Sequence, residues 1–190
     1  SLIAREVDCG CYLHAGREVG VASTKAFTSQ VIVLTLISIW FVQNKDKSLI
    51  ERKQMIYDLR KLHKDIQTTI KTSNDNIESL LEIFQDQTSC FVLGKDMGES
   101  VAREAALKIK EISYIHAEGY STSSLKNGPF ALLKKDFPVI ILAPENRWYA
   151  KSENAYEEIK SRHASIVFIT DKPQQNKENV IYIPNNETFA

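Results

Sequence analysis

The stretch CFVLGKDMGESVAREAALKIKEISYIHAE, residues 90–118, decides the fold. Its first five residues form a nearly continuous apolar run, which is typical of a strand covered on both faces of a sheet. The residues from about Glu99 to His116 then have the spacing of an amphipathic helix. Further apolar runs occupy 138–144, 165–170 and 180–184, and a second helical pattern occupies 149–163. Strands that alternate with helices predict an α/β domain built on a parallel sheet.

The cysteines and histidines indicate no metal site. The number of cysteines, three, is odd and no CxxC pair occurs, which argues against both a disulfide framework and structural zinc. The segment CGCYL, 9–13, predicts a short strand in which Cys9 and Cys11 face one side as reduced core residues. No ligand spacing occurs among His14, His63, His116 and His163. We therefore expect neither a metal nor a cofactor.

Charge excludes one class of partner. Lys plus Arg and Asp plus Glu both number 24, so the formal net charge is zero. There is no global basic field to attract nucleic acid or an acidic membrane, and we expect neither as a partner. No charged leader with an apolar core precedes the first helix, which argues against a secretory signal. Because the chain begins at Ser1 and not at Met, we expect it to be an excised piece.

The first half of the chain is predicted to be helical. A helix from about 24 to 43 would have Ser23 as its N-cap, and its apolar run at 31–42 predicts a buried helix too short to span a bilayer. A polar break follows at 44–48. Residues 48–86 then predict one or two amphipathic helices, with a break at 73–76.

Two charges mark the central helix. At about 100° per residue, Lys108 and Glu111 are directed toward an apolar arc that should pack on the sheet, with Glu104 beside Lys108. That predicted arc comprises Val101, Ala105, Ile109, Ile112 and Ile115. Charges in such a place form either a structural ion pair at the helix edge or a proton-carrying pair.

Two further segments each allow two interpretations. Hydroxyl groups in GVASTKAFTSQ, 20–30, suit an anion or polyol site at a helix N-terminus, or ordinary capping. The segment LKNGP, 125–129, is either a plain loop or a loop that holds Asn127 in an active site. In parallel sheets ligands bind outside the carboxyl ends of the strands. Here those ends are 94–96, 144–146 and 171–172.

Taken together, EVGVASTKAFTSQ (18–30), EAALKIKEISYIHAEGYS (104–121) and LKNGPFALL (125–133) resemble the sugar-isomerase module of glucosamine-6-phosphate synthases, also called glutamine:fructose-6-phosphate aminotransferases. The resemblance implies two SIS subdomains, each a flavodoxin-like parallel sheet between helices. Residues 1–45 would close the first subdomain, 46–86 would form connecting helices, and 87–190 would form the second subdomain without its C-terminal tail.

The resemblance also implies a reaction. Fructose 6-phosphate and ammonia would form glucosamine 6-phosphate through a Schiff base and proton transfer between C1 and C2. Glu111 matches the glutamate that carries this proton, Lys108 matches the lysine that assists it, and Val21 and Ser23 match residues that contact the sugar. A glutaminase domain of the parent protein would supply ammonia. The parent would be a cytoplasmic homodimer, with its phosphate loop before this chain and its Schiff-base lysine after it.

The chain departs from the family at three places. Asn127 stands where the family has a histidine that opens the sugar ring, and an amide binds but does not transfer protons near neutral pH. Ser123-Ser124 replaces Gly-Glu, and Gly94-Lys95-Asp96 replaces Gly-Arg-Gly. Two alternatives therefore stay open. One is a sugar-phosphate-binding or regulatory SIS module with impaired turnover, and the other is an aminotransferase for a different ketose phosphate.

Overall fold

The computed structural model describes residues 2–45 and 48–188. The chain forms two compact units, Ser1–Leu59 and Arg60–Ala190. Asp46 and Lys47, in the polar break predicted at 44–48, lie outside the described residues.

The first unit is helical where it has regular structure. It contains α1 (Ile3–Glu6), α2 (Lys25–Asn44) and the start of α3 (Leu49–Asn74). The strand predicted at 9–13 is wrong: this segment is irregular, and Cys9 and Cys11 are exposed. The described part of this unit has no strand that could supply ladder hydrogen bonds to it.

Helix α2 differs from its prediction in burial. It has 20 residues, and Ile39 is its buried residue, while side chains such as Leu34 and Trp40 are exposed. The expectation of a buried helix is therefore wrong, because apolar residues surround α2 and the described structure covers little of that surface. Among the described residues, α2 is the one helix long and apolar enough to cross a membrane by length and composition, a test that core helices also pass.

The second unit contains the parallel sheet. After the rest of α3, its elements are α4 (Ile77–Phe84), β1 (Ser89–Gly94), α5 (Met97–Ser113), β2 (His116–Ser121), two short 3₁₀ helices (Leu125–Asn127 and Pro129–Leu132), β3 (Pro138–Leu142), α6 (Tyr149–Lys160), β4 (Ser165–Thr170) and β5 (Val180–Tyr182). The strand order is β2-β1-β3-β4-β5 and every neighbouring pair is parallel. The predicted α/β class, the four predicted strands and the break between α3 and α4 are confirmed.

Strand β2 is missing from the sequence prediction, which extends the central helix to His116. The helix ends at Ser113, and Tyr114 follows in the left-handed conformation with φ 61°. The strand sequence HAEGYS has no apolar run, because β2 is an edge strand with one neighbour and only two buried residues. An apolar-run criterion therefore cannot detect it.

The two faces of the sheet have different cores. One face carries large side chains, including Phe91, Ile141 and Phe168, which pack with residues of α6. Burying each such side chain stabilises the fold by about 1.5–3 kcal/mol. The other face carries a smaller cluster, in which Cys90 and Val92 pack with residues of α5. Burial raises the pKa of the Cys90 thiol to about 11, so that thiol stays protonated at neutral pH.

Small residues bring α5 unusually close to the sheet. A Cβ atom on Gly119 would lie 2.5 Å from the Cα and backbone nitrogen of Arg103, and one on Gly94 would lie 2.0 Å from the carbonyl oxygen of Gly98. On the helix side, Ala102 and Ala106 are the buried residues. The backbone of α5 therefore rests almost directly on β1 and β2.

Replacing Gly119 with alanine should destabilise the second unit by about 1–3 kcal/mol, because the added methyl group overpacks this contact. Urea denaturation followed by circular dichroism measures the change. Gly98→Ala is the matched control, because its added Cβ meets nothing within 4 Å beyond its chain neighbours and the adjacent backbone of its own helix. Alanine also favours a helix by about 1 kcal/mol over glycine. Equal stability of the two variants would contradict the close packing.

Candidate functional site

Three charged side chains meet on one side of α5. The Nζ atom of Lys108 lies 2.8 Å from Oε2 of Glu111 and 3.4 Å from Oε1 of Glu104. The exposed fraction of these side chains is 20% for the lysine and 27% for each glutamate. The predicted pairing of Lys108 with both carboxylates is therefore present in the structure, and the three charges are partly shielded from water.

The predicted direction of these charges is wrong. Ala102 and Ala106 face the sheet, and Glu111 lies about 180° around the helix from Ala102. Of the predicted arc, Ala105, Ile109 and Ile115 pack against the core beneath α5, as expected. Val101 and Ile112, which were also expected to pack there, are exposed. The reason is steric: where the helix backbone contacts the sheet, at Gly94 and Gly119, the small residues Ala102 and Ala106 face inward.

Electrostatics hold Lys108 in its charged form. The pKa of Lys108 lies above its ordinary value, first because of its hydrogen bond to Glu111 and also because of the nearby charge of Glu104. One cation between two carboxylates leaves a net charge of about −1 on this face when all three are ionised. The arrangement combines a carboxylate that can accept a proton with an ammonium group that can stabilise negative charge on a bound molecule.

The Asn127 loop is anchored on both sides. Leu125 is fully buried, while Asn127 at the end of the first 3₁₀ helix is exposed. The backbone N–H of Asn127 donates to the backbone carbonyl of Ser124 at 2.9 Å. Gly128 has φ 144°, a conformation that favours glycine. The loop thus presents Asn127 outward from a fixed base. Within the described residues, Asn127 makes no hydrogen bond to Lys108 or Glu111.

The other two departures from the family touch each other. Lys95, after β1, donates to Oγ of Ser123, after β2, at 2.7 Å. Asp96 instead accepts from the indole nitrogen of Trp148 at 3.2 Å and lies 3.4 Å from Arg147. The sequence places 94–96 and 144–146 at the carboxyl ends of strands, but it does not show that Arg147 and Trp148, which follow the second segment, are the partners of Asp96. The substitutions form one connected polar edge at the carboxyl ends of the strands.

The predicted sugar contacts Val21 and Ser23 lie in the first unit, before α2, and Val21 is exposed. The prediction that Ser23 caps α2 is wrong. The Oε1 atom of Glu18 accepts from the backbone amides of Thr24 at 3.0 Å and Ala26 at 2.9 Å, so a carboxylate fills the capping position. The sequence could have suggested Glu18 as the capping residue, because acidic side chains are favoured at helix N-termini.

Comparison with known families agrees with this architecture. The family model described as the SIS domain matches residues 83–189, which include the whole parallel sheet and α5. The chain belongs to the SIS domain family.

Two curated relatives extend this result beyond the SIS match. The chain is 49% identical over 172 residues to a probable glutamine–fructose-6-phosphate aminotransferase [isomerizing] of Acanthamoeba polyphaga mimivirus, covering 90% of the chain and 28% of the relative. It is 42% identical over 188 residues to the glutamine–fructose-6-phosphate aminotransferase [isomerizing] of Chlorobaculum tepidum, covering 97% of the chain and 30% of the relative. The chain thus spans less than a third of the length of these proteins.

A solved structure matches nearly all of this SIS chain. It is the C-terminal domain of glucosamine-fructose-6-phosphate aminotransferase from Francisella tularensis, with a TM-score of 0.91 and 28% sequence identity. The match covers 98% of this chain and 54% of that domain. An overlap of this extent necessarily includes most of α2 as well as the sheet.

The Glu18 cap generates a prediction for pH. The pKa of Glu18 lies below its ordinary value, chiefly because the Ala26 amide donates to it. A depressed folded-state pKa means that the cap stabilises α2 at neutral pH and is lost as the pH falls through that value. In Glu18→Gln, hydrogen-exchange protection of the Ala26 amide at pH 7 should be lower than in the unmodified protein. It should not fall further in acid, because glutamine has no carboxylate to protonate. Glu6→Gln is the control, and equal acid dependence in both proteins would contradict the cap.

Proposed function

We propose that this chain is the sugar-isomerase part of a glutamine:fructose-6-phosphate aminotransferase, which forms glucosamine 6-phosphate from fructose 6-phosphate and ammonia. One observation carries the proposal. Lys108 and Glu111 are in contact at 2.8 Å on the face of α5 that points away from the sheet, and the backbone of α5 packs closely against that sheet. The names of the two relatives support the same substrate, because both are named glutamine–fructose-6-phosphate aminotransferase [isomerizing].

The proposed domain organisation follows the resemblance. Residues 1–45 close a first SIS subdomain, 46–86 form connecting helices, and 87–190 form the second, flavodoxin-like subdomain. The SIS match to 83–189 supports the last of these ranges. The break between α3 and α4 falls within the proposed connecting helices.

Glu111 acts as the proton carrier in this proposal. The Schiff-base lysine of the parent protein condenses with the C2 carbonyl of the open ketose, and water leaves. Ammonia then displaces that lysine, so that an imine remains at C2. The carboxylate of Glu111 takes a proton from C1 while the imine nitrogen gains one, which gives an enolamine. It then returns its proton to C2 while the hydroxyl on C1 loses one, which gives the aldehyde and the amine. Lys108 stays protonated throughout because its pKa is raised, so it can donate to the sugar oxygen that gains negative charge.

Binding and ring opening fall to other residues. We assign sugar contacts to Val21 and Ser23 and a hydrogen bond to the sugar to Asn127, which acts in the neighbouring subunit of a homodimer. An amide can hold a ring oxygen or hydroxyl, but it cannot donate a proton and recover it. Water must then open the ring, or the substrate must arrive open. This step is therefore slow compared with that of an enzyme with histidine at position 127.

The parent protein supplies the remaining parts of the reaction. We propose a glutaminase domain that makes ammonia, a phosphate-binding loop and a Schiff-base lysine, all outside this chain, and a cytoplasmic location. The lengths of the relatives support further segments, because the chain spans 28% and 30% of them. No cofactor, nucleic acid or membrane takes part in the proposed reaction.

In the intact parent protein, Glu111→Gln should lower the rate of glucosamine 6-phosphate formation by about 10²–10⁴-fold, because an amide cannot carry the C1 proton. Product is measured by liquid chromatography of the phosphorylated sugars. Glu157→Gln, an exposed position on α6, is the matched control and should leave the rate unchanged. A chain that binds sugar phosphate but forms no product, even at high enzyme concentration, would instead be a binding module.

Asn127→His in the same parent protein should raise turnover of ring-closed fructose 6-phosphate by roughly tenfold or more, because it restores a group that titrates near neutral pH. The gain should show a pH dependence that the unmodified protein lacks. Asn127→Gln keeps the amide and is the control. An unchanged turnover rate in Asn127→His would mean that ring opening does not limit the reaction. The site would then have been altered at other positions as well, such as the contact of Lys95 with Ser123.

A further inference from the structure

The Asn127 loop and helix α6 rest on the same apolar core. Leu125 is fully buried in this core, and the Phe130 ring packs against it. On α6, Ile159 is fully buried in the same core. Apolar packing therefore anchors the loop on both sides of Asn127 and also fixes the helix beside it.

The tip of the loop between these two anchors is less restrained. Residues 126–128 are exposed, and the side chain of Asn127 forms no hydrogen bond within the described part of the chain. Gly128 follows Asn127, and glycine allows the backbone more freedom than any other residue. The direction of the Asn127 amide group therefore depends on what restrains its neighbours.

An ion pair supplies that restraint. The Nζ atom of Lys126 lies 2.7 Å from Oε1 of Glu158, which α6 carries next to its buried Ile159. Among the described residues, this is the one side-chain hydrogen bond or ion pair made by residues 125–129. Because Lys126 directly precedes Asn127 in the same 3₁₀ helix, a restrained lysine limits the movement of the asparagine.

The end of α6 contacts the loop a second time. The guanidinium carbon of Arg162 lies 4.6 Å from the centre of the Phe130 ring, within the range of a cation–π contact. Helix α6 ends at Lys160, so Glu158 lies in its last turn, where an acidic side chain opposes the helix dipole. The position of Glu158 thus favours the loop and not the helix that carries it.

We propose that Glu158 is a positioning residue for Asn127. Through its ion pair with Lys126, it holds the turn in the orientation in which the Asn127 amide group meets the sugar. The inference rests on the proposed function, which gives Asn127 this hydrogen bond. Because an amide binds and does not transfer protons, the effect of Glu158 is on sugar affinity and not on proton transfer.

Steady-state kinetics of the intact parent protein test the inference, with fructose 6-phosphate as the varied substrate. Glu158→Gln should raise KM by about twofold to fivefold, the range expected for an exposed ion pair, and should leave kcat unchanged. Lys126→Gln should have the same effect, and exchange of the two charges in Lys126→Glu with Glu158→Lys should restore KM. Glu157→Gln is the matched control, because this exposed acid lies in the same turn and forms no ion pair within the described residues.

A double-mutant cycle separates positioning from a general structural role. Asn127→Ala alone should raise KM, and adding Glu158→Gln should raise it no further, because the group that Glu158 positions is then absent. An equal effect of Glu158→Gln with and without the asparagine would overturn the inference. A fall in kcat with an unchanged KM would overturn it as well.

Hydrogen exchange keeps this inference separate from the proposed function. Mass spectrometry of the peptide that contains residues 123–131 should show faster exchange in Glu158→Gln than in Glu157→Gln, whether or not the parent protein turns over. Unchanged exchange would contradict the restraint on the loop. Faster exchange in a parent protein that forms no glucosamine 6-phosphate would refute the proposed function and leave the restraint in place.

Discussion

The backbone contact of α5 with β1 and β2 is the constraint on which the rest of the second unit depends. Gly94 and Gly119 have no side chains, so the helix approaches until its own backbone fills the space that a Cβ would occupy. Ala102 and Ala106 are the buried residues on the inner side of α5, where Ala105 and Ile109 also pack against the same core, and the charged side chains lie away from the sheet. A close-packed helix of this kind has few alternative positions, which fixes the direction of everything it carries.

The charged trio of Glu104, Lys108 and Glu111 follows from that constraint. Helical spacing brings them together, with Nζ of Lys108 at 2.8 Å from Glu111 and 3.4 Å from Glu104, and the close contact of α5 with the sheet fixes the face on which they meet. The Asn127 loop is anchored in the same way, through a buried leucine beside an exposed asparagine. The proposed function uses this arrangement, because a scaffold that fixes Lys108 and Glu111 would orient them for proton transfer on a bound sugar.

The strands at 90–94, 138–144 and 165–170 could be predicted from sequence, because buried parallel strands are continuous in apolar residues. Edge strand β2 could not, since it lacks such a run. The pairing of Lys108 with Glu111 follows from helical spacing. The face on which this pair lies depends on Gly94 and Gly119, because these glycines in β1 and β2 set how α5 rests on the sheet. They lie outside α5, so the sequence of the helix does not reveal their effect. The contact of Lys95 with Ser123 joins residues 28 positions apart. Only the fold brings them together.

The most direct test of the central claim is the pKa of Lys108, measured by NMR titration of its Nζ resonance. If α5 holds this lysine between two carboxylates, its pKa lies above the ordinary lysine value, and Glu111→Gln lowers it because the largest contribution comes from that hydrogen bond. The stabilisation is present at neutral pH and is lost as the pH rises through the raised value. An ordinary pKa that neither Glu111→Gln nor Glu104→Gln changes would contradict the account.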